Sequence, residues 1–242
     1  MKLTLIAACT VALWGQTPKE FEVASVRPSA PQPAGQTSMG MSMDKGMLRA
    51  TGMTAKFLIE QAYDVRDFQV TGGPSWLGSQ QYDVNAKIEG EPTKEQLRGM
   101  MQSLLADRFH LQVHREKKEM PCYALVVAKG GSKLKAPEPD AEGKHKSGRM
   151  SMARGRVDGD GLPVEAIAHA VEQVLGRAVI DKTGLTGDFD FKLEWTPDEA
   201  RTDGEGSSLF TALQEQLGLK LESTKGPVEM LMVDRIEKAS EN

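Results

Sequence analysis

Methionine, histidine, serine, cysteine and aspartate supply the groups in this chain that could do chemistry. Met39-Gly40-Met41-Ser42-Met43, with Met47 close behind, offers thioethers of the kind that hold Cu(I). Alternate residues of a strand share one face, so the same spacing also suits core packing, and packing is the reading adopted. A second, shorter group is Met150 and Met152. His110 and His114 would meet on a helix. Their segment reads as a strand, which holds them about 13 Å apart, too far to share an ion. His145 falls in a polar stretch, His169 lies on a helix among small residues, and no Cys/His set has zinc spacing. No metal site and no cofactor is therefore expected.

Gly72-Gly73-Pro74-Ser75-Trp76 is a corner that could present Ser75, but it is not a Gly-x-Ser-x-Gly elbow. A tight turn anchored by Trp76 is the expectation. Asp181-Lys182-Thr183-Gly184 has the letters of the phosphorylated aspartate motif of ion-pumping ATPases. The chain lacks room for their nucleotide domain and membrane bundle, and Asp, Thr and Gly together favour a turn. Gly130-Gly131-Ser132-Lys133 has neither the spacing nor the following helix of a phosphate loop. Cys122 opens the apolar run to Val127 and reads as a buried, inert thiol, while Asp107 and Arg108 read as a local pair. No catalytic residue is assigned. Ser75, Trp76 and His110 stand as binding candidates. Ser75, Asp83 and His110 are the groups a dispersed hydrolase-like site would use.

The elements that position these residues occur twice. Met41-Ser42-Met43 recurs as Met150-Ser151-Met152, and Tyr82-Asp83-Val84 as Phe189-Asp190-Phe191. Phe109–Val113 matches Leu217–Leu221, and the strand after Pro121 matches the one after Pro227. Offsets near 107 residues hold throughout, so the chain reads as a tandem pair rather than a solenoid. The first module, 16–128, has a strand at Phe21–Val26 and a hairpin through Asp44-Lys45-Gly46. Next come a helix over Ala55–Tyr63 capped by Thr54, and strands at Phe68–Thr71 and Gln81–Ile88. A helix opened by Pro92-Thr93 follows, with Leu97, Met100, Met101, Leu104 and Leu105 on one stripe. Phe109–Arg115 and Met120–Ala128 are expected to form a closing hairpin.

Lys129–Ser147 is rich in glycine, proline and charge and reads as a linker, 129–147. The second module, 148–242, repeats the order. Arg149–Asp158 forms a hairpin and Pro163–Leu175 a helix with Ile167, Val171, Val174 and Leu175 inward. Strands follow at Ala178–Asp181 and Phe189–Trp195, then a polar insertion at Thr196–Gly206. The last helix, Leu209–Leu217, is capped by Ser207 or Ser208, and Leu219–Glu222 pairs with Val228–Ile236. Two tandem β-β-α-β-β-α-β-β modules define an α+β fold with antiparallel sheets and helices on one face.

A net charge of −4 and a pI near 5.7 argue against a nucleic-acid surface. Aromatic residues, at 5%, are too few to suggest a stacking platform. Lys2 followed by the apolar run Leu3–Trp14 has the layout of a signal peptide, cleaved near Gly15 and spanning residues 1–15. Ile6-Ala7-Ala8-Cys9 offers lipidation at Cys9 as the second reading. No later run is long enough for a stable membrane span.

Several phrases taken in order resemble a known family. They are Phe21–Ser29, Ala62-Tyr63 with Gly72–Trp76, and Leu104–Phe109. Tyr123–Val126 with Lys129-Gly130-Gly131, Asp181–Leu185, Leu213–Leu219 and Ser240-Glu241-Asn242 complete them. Together they resemble the soil-associated family of exported bacterial proteins of unknown function, across nearly the whole mature chain. That resemblance carries no catalytic residues. Related domains attached to membrane zinc-peptidase sensors imply a sensing or partner-binding role, with no protease motif here. A looser similarity links the element order to the short N-terminal modules of secretins and TonB-dependent receptors. The expected function is an exported binding, interaction or sensing module facing an envelope or extracellular protein, and not nucleic acid. The alternative is an enzyme with a site between the modules.

Overall fold

The computed structural model describes residues 20–30, 39–137, 148–197, 199 and 206–239. The proposed signal segment, Cys9 and His145 lie outside them. The fold is α+β, mostly strand, and packs as two compact units. One comprises the described residues of Met1–Asp64, Gly73–Gln112 and Val233–Asn242; the other comprises those of Val65–Gly72 and Val113–Met232. The second unit thus draws on both sides of 129–147.

The first unit is a four-stranded antiparallel sheet under two helices. Its strands β1 (Val23–Pro28), β2 (Gly40–Asp44), β3 (Met47–Thr54) and β5 (Gln81–Lys87) run in the order β1-β5-β3-β2. Period-two alternation makes β5 bury Tyr82, Val84 and Ala86 while its other side chains face outward. Helix α1 (Ala55–Tyr63) starts where the Thr54 hydroxyl accepts the Phe57 N–H at 3.2 Å. Helix α2 (Lys94–Phe109) starts in a capping box of Thr93 and Gln96. Its Met100, Met101, Leu104 and Leu105 are buried, as the stripe predicts, while Leu97 is half-buried. Phe109, expected to open a strand, is buried in the last turn of the helix.

The second unit holds two sheets. Strands β4 (Val70–Gly72), β6 (Gln112–Val127), β9 (Val179–Asp181) and β11 (Leu219–Arg235) form one, in the order β4-β11-β6-β9. The other is β10-β8-β7, built from β7 (Arg149–Ala153), β8 (Arg156–Pro163) and β10 (Asp188–Glu194). Helix α3 (Val164–Leu175) and the short α4 (Leu209–Ala212), continued by a wide π turn over Leu213–Leu217, pack on it. Val157, Ile167, Val171, Phe191, Leu193, Leu213 and Leu217 share that core.

Three expectations change here. The closing hairpins are single long strands, β6 and β11. Glu116-Lys117-Lys118-Glu119 supplies no turn residue, and Gly226 lies flat in β11, where a Cβ would come within 2.8 Å of Ile180. Residues 40–127 and 149–235 therefore each read β-β-α-β-β-α-β, one strand fewer than the order expected, and β1 precedes the first run. Met39, Met41 and Met43 are not core: they are 55, 36 and 51% exposed on the outermost strand. Met41 and Met43 do lie opposite the buried Ala50 and Leu48, on the core side of the sheet. Met41 borders the helices at Leu58 and Met101, and the edge position leaves it and its neighbours part-open on the side away from β3. Val174, expected inward, is 40% exposed.

Candidate functional site

Of the three binding candidates, Ser75 is exposed and opens a short 3-10 turn, Ser75–Gly78, whose buried anchor is Leu77 rather than Trp76. Trp76 is half-buried and meets Tyr82 edge-on at 6.4 Å. Tyr82 in turn meets Phe109 at 4.9 Å, with Lys238 6.0 Å above the Trp76 ring. Burial pushes the Tyr82 phenol above its ordinary pKa, and its hydroxyl has no hydrogen-bond partner among the described residues. His110 is not in a strand. It caps α2 in the left-handed conformation, φ 50°, exposed and 4.0 Å from Glu237. Glu237 is itself held below the usual carboxylate range by the hydrogen bond from Arg235.

Asp83 is committed to structure. Its Oδ1 accepts the Ser29 hydroxyl at 2.6 Å and the Gly52 N–H at 2.9 Å, bracing the register shift in β3. Asp181 accepts the Thr183 N–H at 2.8 Å and Gly184 has φ +67°, the expected turn. Cys122 is buried, and burial raises its thiol. Arg108 reaches Asp107 at 3.0 Å and donates to the Ala24 carbonyl at 3.3 Å, which ties α2 to β1 across a polar cavity. A lysine-lined hollow at Lys129, Lys133 and Lys220 sits at the end of the π turn, where carbonyl dipoles oppose anions. Its Lys133 already donates to the Glu215 carbonyl.

The sequence reading does not anticipate an apolar cavity in the second unit. About 280 Å³ in volume, it is lined in the second unit by Val174, Leu175, Trp195, Pro197, Leu209 and Phe210. Arg154 and Glu199, 3.5 Å apart and largely exposed, stand at its edge. Phe210 packs edge-on against Tyr123 at 5.6 Å, and Arg177 lies 5.3 Å over the Tyr123 ring. The two units differ in helix length. In the first unit α2 runs long, and it closes the end of α1 with Gln102 donating to the Ala62 carbonyl and Arg98 pairing with Asp64 at 2.7 Å. The helix after β10 has only α4 and its π turn, and among the described residues none covers Val174 and Phe210, the latter 41% exposed. The readable signal was Phe210 off the buried stripe Leu209, Ala212 and Leu213. A low aromatic count over the whole chain hid a local cluster.

Hydrophobic walls with a few charges at the rim suit an apolar, planar group better than an anion or sugar. Among the described residues no three His, Cys, Asp or Glu side chains gather as a metal site would require. No helix among them is long and apolar enough to cross a membrane.

The family described as Protein of unknown function (DUF3738) matches residues 56–236, and the chain belongs to it. No curated protein and no solved structure matches the chain.

Proposed function

We propose that this chain is an exported binding module whose second half takes an aromatic side chain of a polypeptide partner into the cavity at Trp195 and Phe210. The observation that carries the reading is the apolar lining, Val174 and Phe210 with Trp195, which the other described residues leave exposed. Edge-to-face stacking on Trp195 or Phe210 would add about 0.5–1.5 kcal/mol beyond burial. The Leu3–Trp14 run, with cleavage near Gly15, and the resemblance to exported soil-associated proteins support the location. The dispersed-enzyme reading is the weaker one, because Asp83 is already engaged by Ser29 and Gly52.

The two modules, 16–128 and 148–242, are proposed to descend from one duplicated block, and three details support this. The element order repeats. Asp190 Oδ1 accepts the Gly161 N–H at 2.7 Å just as Asp83 accepts Gly52, with both glycines at positive φ. In the order β4-β11-β6-β9, exchanging β4 with β9 and β6 with β11 returns the same order reversed.

Titrating isotope-labelled protein with indole, phenol and short Phe- or Trp-containing peptides tests the binding site. Backbone shifts should gather at Gly155, Leu175, Trp195 and Phe210, and Phe210→Asp should abolish them in a protein that still melts cooperatively. Shifts scattered over the surface, or unchanged by Phe210→Asp, would remove this reading.

A further inference from the structure

Five of the eight large apolar residues most exposed among the described ones are methionines on two strands, Met39, Met41 and Met43 at β2 and Met150 and Met152 on β7. Every residue of both strands is exposed. Met41 borders the core beside Leu48, Ala50, Leu58 and Met101, but packing of that kind does not account for so many exposed thioethers on two edge strands. An exposed edge strand ordinarily carries β-branched or charged residues, the first for strand propensity and the second against sheet-to-sheet aggregation. Here thioethers alternate with serine instead, at matching places in two separate sheets. β2 ends the order β1-β5-β3-β2, and β7 ends β10-β8-β7.

The registers put these methionines on one side. Met41 and Met43 lie opposite Ala50 and Leu48, and Met152 lies opposite Val157, all three partners being buried. Residues two apart on a strand stand roughly 7 Å apart on the same face. Each thioether swings on three rotatable bonds, so the sulfurs of two such neighbours can close on one ion from either side. The donors are neutral and soft, and among the described residues no cluster of the carboxylate and imidazole ligands that favour harder ions gathers.

We infer that each Met-x-Met pair, Met41/Met43 (with Met39 alongside) and Met150/Met152, is a binding site for a soft monovalent cation, Cu(I) or Ag(I). The ion is bound without change of oxidation state. Silver is the practical probe because it has no competing redox chemistry. Full-length protein carrying Cys9→Ser and methyl-labelled methionine should take up Ag(I) with shifts confined to these five methyls. Met53, Met100, Met101 and Met230, all buried, should stay still. Met41→Leu/Met43→Leu and Met150→Leu/Met152→Leu should each remove one set of shifts and weaken silver uptake at that strand at least tenfold. Leucine keeps the bulk and apolarity, and an unchanged melting curve separates lost ligation from lost folding. Zn(II) should move none of these methyls. Silver that leaves the five methyls unmoved, or uptake that survives both double substitutions, would overturn the inference.

Discussion

Residues 40–127 and 149–235 pass through one order of elements, yet they end their helices by different means. The first half stops α1 at Asp64 and α2 at His110, both left-handed at φ 53° and 50°. The second stops α3 at Gly176 and the π turn at Gly218, at φ 60° and 66°. A side chain in that conformation costs about 1–2 kcal/mol, which glycine avoids. Asp64 and His110 each have a charged neighbour within reach, Arg98 at 2.7 Å and Glu237 at 4.0 Å. Space decides only one of the two glycine caps. A Cβ at Gly218 would collide with the Gly131 carbonyl, whereas one at Gly176 would meet nothing. The contrast teaches that two runs with one element order can tolerate strain at one helix end and forbid it at the corresponding one.

The largest effect expected from this comparison lies in the helices themselves. Leu104 and Leu213 both lie on the buried stripes of these helices, 9% and 0% exposed. Leu213→Asp should abolish soluble expression, because an unpaired carboxylate there would cost several kcal/mol. Leu104→Asp should be severe but milder, since its carboxylate can reach toward solvent. Equal soluble yields of both variants and the parent would contradict the packing of both helices.

Next in size is the exchange of caps. Gly218→Ala should lower stability by about 2–4 kcal/mol, the left-handed penalty plus the clash with Gly131. His110→Gly should raise it by up to about 1 kcal/mol. Urea midpoints at constant slope measure both. A destabilised His110→Gly would mean that its neighbourhood to Glu237 outweighs the strain, which would return His110 to consideration as a functional group.

A third test concerns the carboxylates that brace the two hairpins. Asp83→Ala and Asp190→Ala each leave a glycine N–H without its charged acceptor, worth about 1.5–3 kcal/mol. Similar losses would sharpen the case that the two halves share one construction. A loss at Asp83 alone would break it.

How much of this was legible follows from the range of the forces involved. Helix starts were readable because Thr54, Thr93 and Ser208 cap within three residues of themselves. The turn at Asp181–Gly184 is equally local. The left-handed cap at His110 was read as strand, since nothing in Phe109–Arg115 marks where α2 stops. Strand partners β4 and β9 sit in a sheet with β11 and β6 from distant sequence, and no local pattern announces that pairing. The methionines followed the correct face but the wrong environment, because alternation reports which side a residue takes and not whether a helix covers that side. The cavity at Trp195 and Phe210 is one that the other described residues leave uncovered, and a missing cover leaves no residue to read.

The smallest effect expected is electrostatic. In the second half Arg156 donates to both oxygens of Asp158, at 2.6 and 2.9 Å, and lies 3.4 Å from Glu194. In the first half Arg49 faces neutral Asn85 across the matching strands. The hydrogen bond from Arg156 holds the Asp158 carboxyl below its usual range. A depressed folded pKa stabilises the protein above the unfolded value near 4, and that contribution is lost as pH falls through the folded value. Acid should therefore loosen the β7-β8-β10 sheet before the β1-β5-β3-β2 sheet, with amide exchange at Val157 and Leu193 rising ahead of that at Leu48 and Val84. The gap should be small, because an exposed pair contributes little, and Asp158→Asn should close it. Simultaneous loosening of both sheets, unaltered by Asp158→Asn, would show that this ion pair does not distinguish the halves.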